Sequence, residues 1–305
     1  MLHLDMNISN LLCFGASIFV LFLGIYVYIL PGRKKVQKHF LYLSGCFSVW
    51  ILFFVIRQSV SYEYRHYALD WMLIPTIFFP ILLDRIISLI SNPEHKISKW
   101  KIGSISILVI YFLWAAVTCS YSILIDHINF KYISTIHYHI LMSYQIGFVS
   151  FSISKLVKYI YSYSGVQRVR FTLMAIGVFT ILSFAIIFLY ILPLLGIFYG
   201  PLSAIGVLIS VILWAIAVLQ YNAFEIKYAM FARQPVPILN RISLSFFLLL
   251  FKILDPAEFR KSNFLYKRFL SIRILYTDIQ LREKTDLDFF QRAEAVARRY
   301  ERFIN

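Results

Sequence analysis

Long apolar stretches recur along the chain, separated by short polar gaps. A helix needs about 20 mostly apolar residues to cross a bilayer. The pattern predicts seven such helices, at about 10–30, 39–60, 67–90, 103–125, 137–160, 172–195 and 201–222. Helices are the expected form because lipid offers the backbone no hydrogen bonds. Short gaps make neighbours in sequence antiparallel neighbours in space. Pro75 and Pro80 predict a kink or a locally opened backbone in the third stretch.

After Asn222 the texture changes. Gln234-Pro235-Val236-Pro237 breaks any helix, and the apolar run Ile242–Leu254 is only about 13 residues, too short to cross. Extending it back to Pro235 would place Arg241 in lipid, so an interfacial or re-entrant helix is favoured over an eighth span. Asp255-Pro256-Ala257-Glu258 reads as a capping box opening a helix. Thr285 to Asp288 offers another start, leading into a charged amphipathic helix to Phe303. The expected organisation is a transmembrane domain over 1–230, then an interfacial helix and a helical cytoplasmic tail over 231–305.

Charge fixes the orientation this pattern should take. Residues 1–221 contain fifteen Lys and Arg, and twelve fall in every second gap. Arg33, Lys34, Lys35 and Lys38 fill the first gap, Arg85, Lys96, Lys99 and Lys101 the third, and Lys155, Lys158, Arg168 and Arg170 the fifth. Cationic loops resist translocation, so these gaps are expected in the cytoplasm, with the N-terminus outside and the C-terminus inside. The start, MLHLDMNISN, lacks a basic n-region, so the first helix is expected to be retained. Tyr62, Tyr64, Tyr67 and Trp71 outside, and Trp100, Tyr159, Tyr161 and Tyr163 inside, read as interface belts.

The chain is 60% hydrophobic with a mean hydropathy of +0.73, against ~45–50% apolar for a soluble domain. The fold class is therefore an all-α polytopic helix bundle. The net charge of +15 is explained by loop orientation, and a nucleic-acid partner is not expected. The bilayer is the expected partner throughout. Cys13, Cys46 and Cys119 have no ligand spacing and read as small buried hydrophobes.

Candidate chemistry is sparse. Arg57 and Asp70 lie at matching depth near the outer ends of the second and third stretches. Charges there are costly unless paired or wet, so they are expected to face each other. Two readings stay open: side chains reaching interface water, or an ion pair lining an outward cavity. Four histidines, His66, His127, His137 and His139, form a loose outer cluster. His137 and His139, two apart, fall on different helix faces, and no metal site is expected. Asp84-Arg85 reads as Arg85 snorkelling to inner headgroups. No nucleophile elbow, phosphate loop or zinc motif is present, so no catalytic residue and no cofactor are assigned.

One further pattern spans the bundle. Gln167-Arg168-Val169-Arg170 precedes the sixth stretch, followed by Leu192-Pro193-Leu194-Leu195-Gly196, Gly200-Pro201 and Tyr221-Asn222-Ala223-Phe224-Glu225-Ile226, with Trp50 and Ile74-Pro75 upstream. Together these resemble the histidine-kinase N-terminal seven-helix region, a bacterial membrane input module, over about residues 8–230. The resemblance implies a multi-pass protein of the bacterial plasma membrane feeding an output enzyme. The tail has no phosphoacceptor histidine, since the last histidine is His139. The expectation is a sensor-like or receptor-like module that signals through a cytoplasmic protein. The alternative is a small-solute transporter or channel, for which Gln145 is the candidate mid-membrane polar group.

Overall fold

A computed structural model describes residues 6–30, 34–126, 131–220, 223–231 and 236–304. Arg33, His127, Tyr221, Asn222, Gln234 and Pro235 lie outside the described residues. Among the described residues the fold is all-α with one small hairpin. Seven helical stretches are long and apolar enough to cross a membrane: Ser9–Ile29, Lys34–Ser59, Tyr62–Ser91, Lys99–Val117, Ile136–Ser162, Val166–Leu194 and Gly200–Leu219. Their outer faces keep large apolar side chains exposed, such as Leu11, Phe22, Ile107 and Phe179, as a lipid-facing surface requires.

The elements are α1 (Met6–Ile29), α2 (Lys34–Ser59), α3 (Arg65–Trp71), α4 (Ile74–Ile77), α5 (Phe79–Ser91), α6 (Lys99–Val117), the strands β1 (Ser122–Asp126) and β2 (Lys131–Ser134), α7 (Ile136–Ser162), α8 (Val166–Ala185), a π-helical turn (Ile186–Ile191), α9 (Leu192–Leu194), α10 (Ser203–Leu219), α11 (Ala223–Phe231), α12 (Ile238–Leu254), α13 (Pro256–Lys284) and α14 (Phe289–Ile304). The chain divides into two compact units. One holds residues 1–163 and 170–219, the other 164–169 and 220–305. The division expected at 230–231 falls inside the second unit.

Two departures from the expected pattern shape the first unit. The fourth helix was expected to run to 125 but stops at Val117. Cys119 adopts φ +50°, its N–H bonds Ala116 O at 3.2 Å, and the Ser120 N–H bonds Ala115 O at 2.9 Å. That is a Schellman stop. The chain then continues as Ser-Ile-Leu-Ile-Asp, a short apolar run rich in β-branched residues, and β1 pairs antiparallel with β2 through Ile123–Ile133 and Leu124–Tyr132.

The second departure is broken helices. The third span is three short helices, with Pro75 and Pro80 each in the first turn of a new one. The sixth span opens into the π turn just before Pro193. Proline lacks an N–H and clashes with the carbonyl four residues back. For Pro193 that carbonyl belongs to Leu189, which instead accepts from Tyr138 Oη at 2.5 Å. Tyr144 Oη likewise donates to Ile77 O at 3.1 Å.

Small residues let the helices close. Ser17 Oγ donates to Ser48 O at 2.9 Å between α1 and α2, and a Cβ on Gly24 would meet Ser44 Cβ at 2.7 Å. Such seams suit helix pairs in lipid, where apolar burial supplies little attraction. Between α8 and α10, Ser210 Oγ donates to Gly177 O at 2.7 Å, and the Trp214 indole lies over Gly177. Arg170, expected in a basic gap, is buried, and its Nε donates to Ala217 O at 2.6 Å in the last turn of α10. A guanidinium there suits the negative end of the helix dipole.

In the second unit Asp255 caps α13, accepting from Glu258 N at 3.3 Å as the capping box anticipates. Asp255 also accepts from Gly165 N at 2.8 Å. Asp288 and Gln291 form a reciprocal cap on α14 at 2.7 and 3.2 Å. α13 and α14 pack through Leu270, Val296 and Tyr300, with Thr277 Oγ1 and Tyr300 Oη 2.6 Å apart. On α12, Ser243, Leu244, Phe247 and Phe251 are buried, while Ile238, Ile242, Phe246, Leu249 and Ile253 form an exposed apolar stripe.

Gly177→Val is expected to lower the thermal midpoint in detergent by several degrees, about 1–3 kcal/mol of overpacking, because the Trp214 ring is held by its own bond to Met174 O at 3.1 Å. Gly147→Ala on α7, whose Cβ meets nothing within 4 Å, should leave the midpoint unchanged. Equal midpoints for the two variants would contradict the packing described here.

Candidate ligand cavity beneath the hairpin

The hairpin and the broken helices enclose a cavity of about 100 Å³ in the first unit. The α2 face supplies Trp50, Phe54 and Arg57; the broken third span supplies Asp70, Met72, Leu73, Thr76 and Phe79. Ser122 and Tyr132 come from the hairpin, Tyr138 and Gln145 from α7, and Phe188, Leu189 and Pro193 from the π turn and its proline. Residues beside the breaks of both spans, Met72, Leu73, Thr76 and Phe79 in the third and Phe188, Leu189 and Pro193 in the sixth, therefore line one void. At membrane depth, non-helical backbone is tolerated where it lines a cavity or is buried in protein.

Arg57 and Asp70 both line this cavity, but their recorded bonds run in different directions. The Asp70 carboxylate is fully buried and accepts from Tyr121 N at 2.8 Å and from Ser122 Oγ at 2.5 Å. Its role is to pin β1 to α3. The Arg57 guanidinium lies 4.8 Å over the Phe54 ring, with Nη1 3.9 Å from Met72 Sδ.

The histidines disperse. His66 Nε2 donates to Ser122 O at 2.7 Å, a second tie between α3 and β1. His137 Nδ1 lies 2.7 Å from Tyr111 Oη, and His139 Nδ1 lies 3.1 Å from Tyr190 Oη. None of these three lines the cavity, and His127 is outside the described residues. Among the described residues no group of three or more His, Cys, Asp or Glu is placed to hold a metal.

Gln145 Nε2 donates to Thr76 Oγ1 at 2.7 Å across the α4–α7 contact. Beyond it lies a second void of about 60 Å³, which shares Phe79, Gln145, Ile181 and Ala185 with the first and is otherwise lined by apolar groups such as Leu43, Phe47 and Trp214. Sequence reasoning named Trp50 only as a landmark of the resemblance and passed over Tyr132, which lies in a gap, and Tyr138, which reads as ordinary core. The prolines were the available signal, since they mark where carbonyls need outside donors.

At the opposite end, Asp84 accepts from Lys101 Nζ at 2.5 Å and from Lys155 Nζ at 2.6 Å, joining α5, α6 and α7. Both lysines had been assigned to basic gaps. Arg85 Nη1 donates to His95 O at 2.8 Å.

In comparisons with protein-family models, curated proteins and solved structures, none matches this chain.

Cys119, outside the spans, reports on Asp70. Burial and then the Asp70 charge push its thiol up to about 11. The thiolate is the reactive form, so maleimide labelling in a Cys13→Ala/Cys46→Ala background should be slow at pH 7 and keep accelerating well past pH 9. Removing a nearby negative charge favours the thiolate, so Asp70→Asn should speed labelling at fixed pH. Labelling that levels off near pH 8.5 would refute this electrostatic picture.

Proposed function

We propose that this chain is an integral-membrane, sensor-like or receptor-like module. Occupancy of the cavity beneath the hairpin biases the helix bundle, and the helices after Pro237 carry that bias to a cytoplasmic signalling protein. The observation that carries this reading is the convergence of residues beside the breaks of two spans on one cavity with a buried carboxylate and a guanidinium in its wall. A protein that only needed to span lipid would gain nothing from breaking two helices at the same place.

Further support comes from charge and from resemblance. The alternating basic gaps favour the N-terminus outside and the C-terminus inside, which puts the hairpin and cavity on the external side. Resemblance to the histidine-kinase N-terminal seven-helix region points to the plasma membrane of a bacterium. The exposed apolar stripe of α12 suits a helix lying at the interface. Against the transporter or channel alternative stands the void past Gln145, whose remaining lining is apolar; a solute path needs polar groups to continue.

Two measurements on the full chain in cells test this. In a cysteine-free background, Glu63→Cys and Ile125→Cys should react with an impermeant maleimide from outside, while Lys96→Cys and Asp286→Cys should react only after permeabilisation. The reverse pattern would overturn the orientation. Photo-crosslinkers replacing the exposed Ile272, Leu275 and Ile279 of α13 should each capture the same discrete cytoplasmic protein. Failure of all three positions to capture one would overturn the signalling role.

A further inference from the structure

One face of α2 runs the length of both voids. Leu43, Phe47, Trp50, Phe54 and Arg57 recur at intervals of three and four residues, and all five are lining residues. From Leu43 to Arg57 is 14 residues, about 21 Å of helix. The stripe is apolar at the bottom, aromatic in the middle and cationic at the top.

The lining contains a second polar signal. Trp50 is only 3% exposed, and its indole Nε1 has no hydrogen-bond partner. Buried donors are almost always satisfied, so an orphan N–H in a cavity wall marks a place for an acceptor atom. Below Trp50 the walls turn apolar, with Leu43, Phe47, Leu83 and Trp214 around the smaller void. The negative group in the wall, Asp70, already accepts from Tyr121 N and Ser122 Oγ at the start of the hairpin.

We propose that the two voids bind one amphiphile, a carboxylate or similar oxyanion on a single unbranched chain. Its oxygens accept from the Arg57 guanidinium and the Trp50 indole N–H, and its tail passes Gln145 and Ala185 toward Trp214. Guanidinium recognises a planar oxyanion by paired N–H donors, and the indole N–H can only donate. The seven residues from Trp50 to Leu43 span about 10 Å, the length of a chain of about eight carbons. This assignment rests on the reading of the cavity as the input site and names the chemistry of the input. The same chemistry is available from a free short-chain acid or from a single-chain anionic lipid of the surrounding bilayer.

The test uses the full chain in nanodiscs of neutral phosphatidylcholine. Titration with 8-bromooctanoate should quench tryptophan fluorescence saturably, and the quenching should be largely lost in Trp214→Phe. Calorimetry should show octanoate binding at least tenfold more tightly than octanol, a comparison that needs no variant. Arg57→Gln should cost octanoate tenfold or more and leave octanol unchanged. Trp50→Phe should cost octanoate about threefold. Ala185→Leu, which narrows the junction of the voids, should abolish octanoate binding and spare butanoate.

Nanodiscs containing lysophosphatidylglycerol separate the two sources. Weakened octanoate binding there identifies a membrane lipid as the competing occupant, and unchanged binding identifies a free acid. Equal affinity for octanoate and octanol, or unaltered octanoate binding in Arg57→Gln, would overturn the proposal. Capture of a partner through α13 would survive that result, so failure of the ligand assignment is distinguishable from failure of the signalling role.

Discussion

The first unit depends on one constraint: a carbonyl freed inside a lipid-facing helix must find a donor within the protein. Prolines at 75, 80 and 193 interrupt two spans, and α7 supplies what the interruptions need. Tyr138 reaches Leu189 O and Tyr144 reaches Ile77 O, and Gln145 adds a side-chain bond to Thr76 Oγ1. The three side chains occupy about two turns of one helix, and the two tyrosines serve the backbone itself. An unsatisfied backbone group in hydrocarbon costs several kcal/mol, so α7 holds the broken spans in their opened form. The cavity follows, because a helix opened away from its regular path leaves a space beside it.

The same constraint explains why the hairpin sits where it does. β1 is short and would expose unpaired edge groups if left alone, since an isolated two-stranded hairpin is marginal in water. Asp70 and His66 on α3 take Tyr121 N, Ser122 Oγ and Ser122 O. Thr135 Oγ1 closes the base, donating within reach of Ser120 O at 2.5 Å and Tyr121 O at 2.9 Å. The hairpin is thus an extension of the third span, and Tyr132 hangs from it into the cavity wall.

Much of the architecture is legible in hydropathy alone, because a bilayer enforces a length of about 20 apolar residues that no soluble core demands. The seven stretches and the two capped tail helices follow from it and from cap chemistry. What escaped notice did so for local reasons. Gly196 and Cys119 end helices with the same pair of bonds: Gly196 N to Pro193 O and Ile197 N to Leu192 O in one case, Cys119 N to Ala116 O and Ser120 N to Ala115 O in the other. Glycine at such a stop announces itself. A cysteine at φ +50° does not, because the residue type carries no signal for that conformation, and the fourth span was therefore drawn too long. Lys101, Lys155 and Arg170 were read as loop charges because a basic residue near a helix end usually snorkels. Their long stems can equally turn inward to a carboxylate or a carbonyl, and sequence spacing does not say which. The matching depth of Arg57 and Asp70 was legible. That Asp70 bonds the following hairpin was not, since this depends on where the chain turns after Val117.

The third span is consequently unlike the others. It has polar anchors at both ends, Asp70 with its hairpin at one and Asp84 with Lys101 and Lys155 at the other. Between them lie two breaks, at Met72–Leu73 and at Phe78, where the backbone leaves regular helix. A continuous helix moves as one rod. Three short helices joined at breaks can shift relative to one another with changes confined to a few dihedral angles, while each anchor keeps its own bonds. Met72, Leu73, Thr76 and Phe79, the residues flanking those breaks, are wall residues of the cavity. A ligand changes a protein only by binding two arrangements unequally. Contacts made at the joints of a segmented span differ most between arrangements, so the ligand proposed for this cavity would act where the bundle's preference is most easily altered.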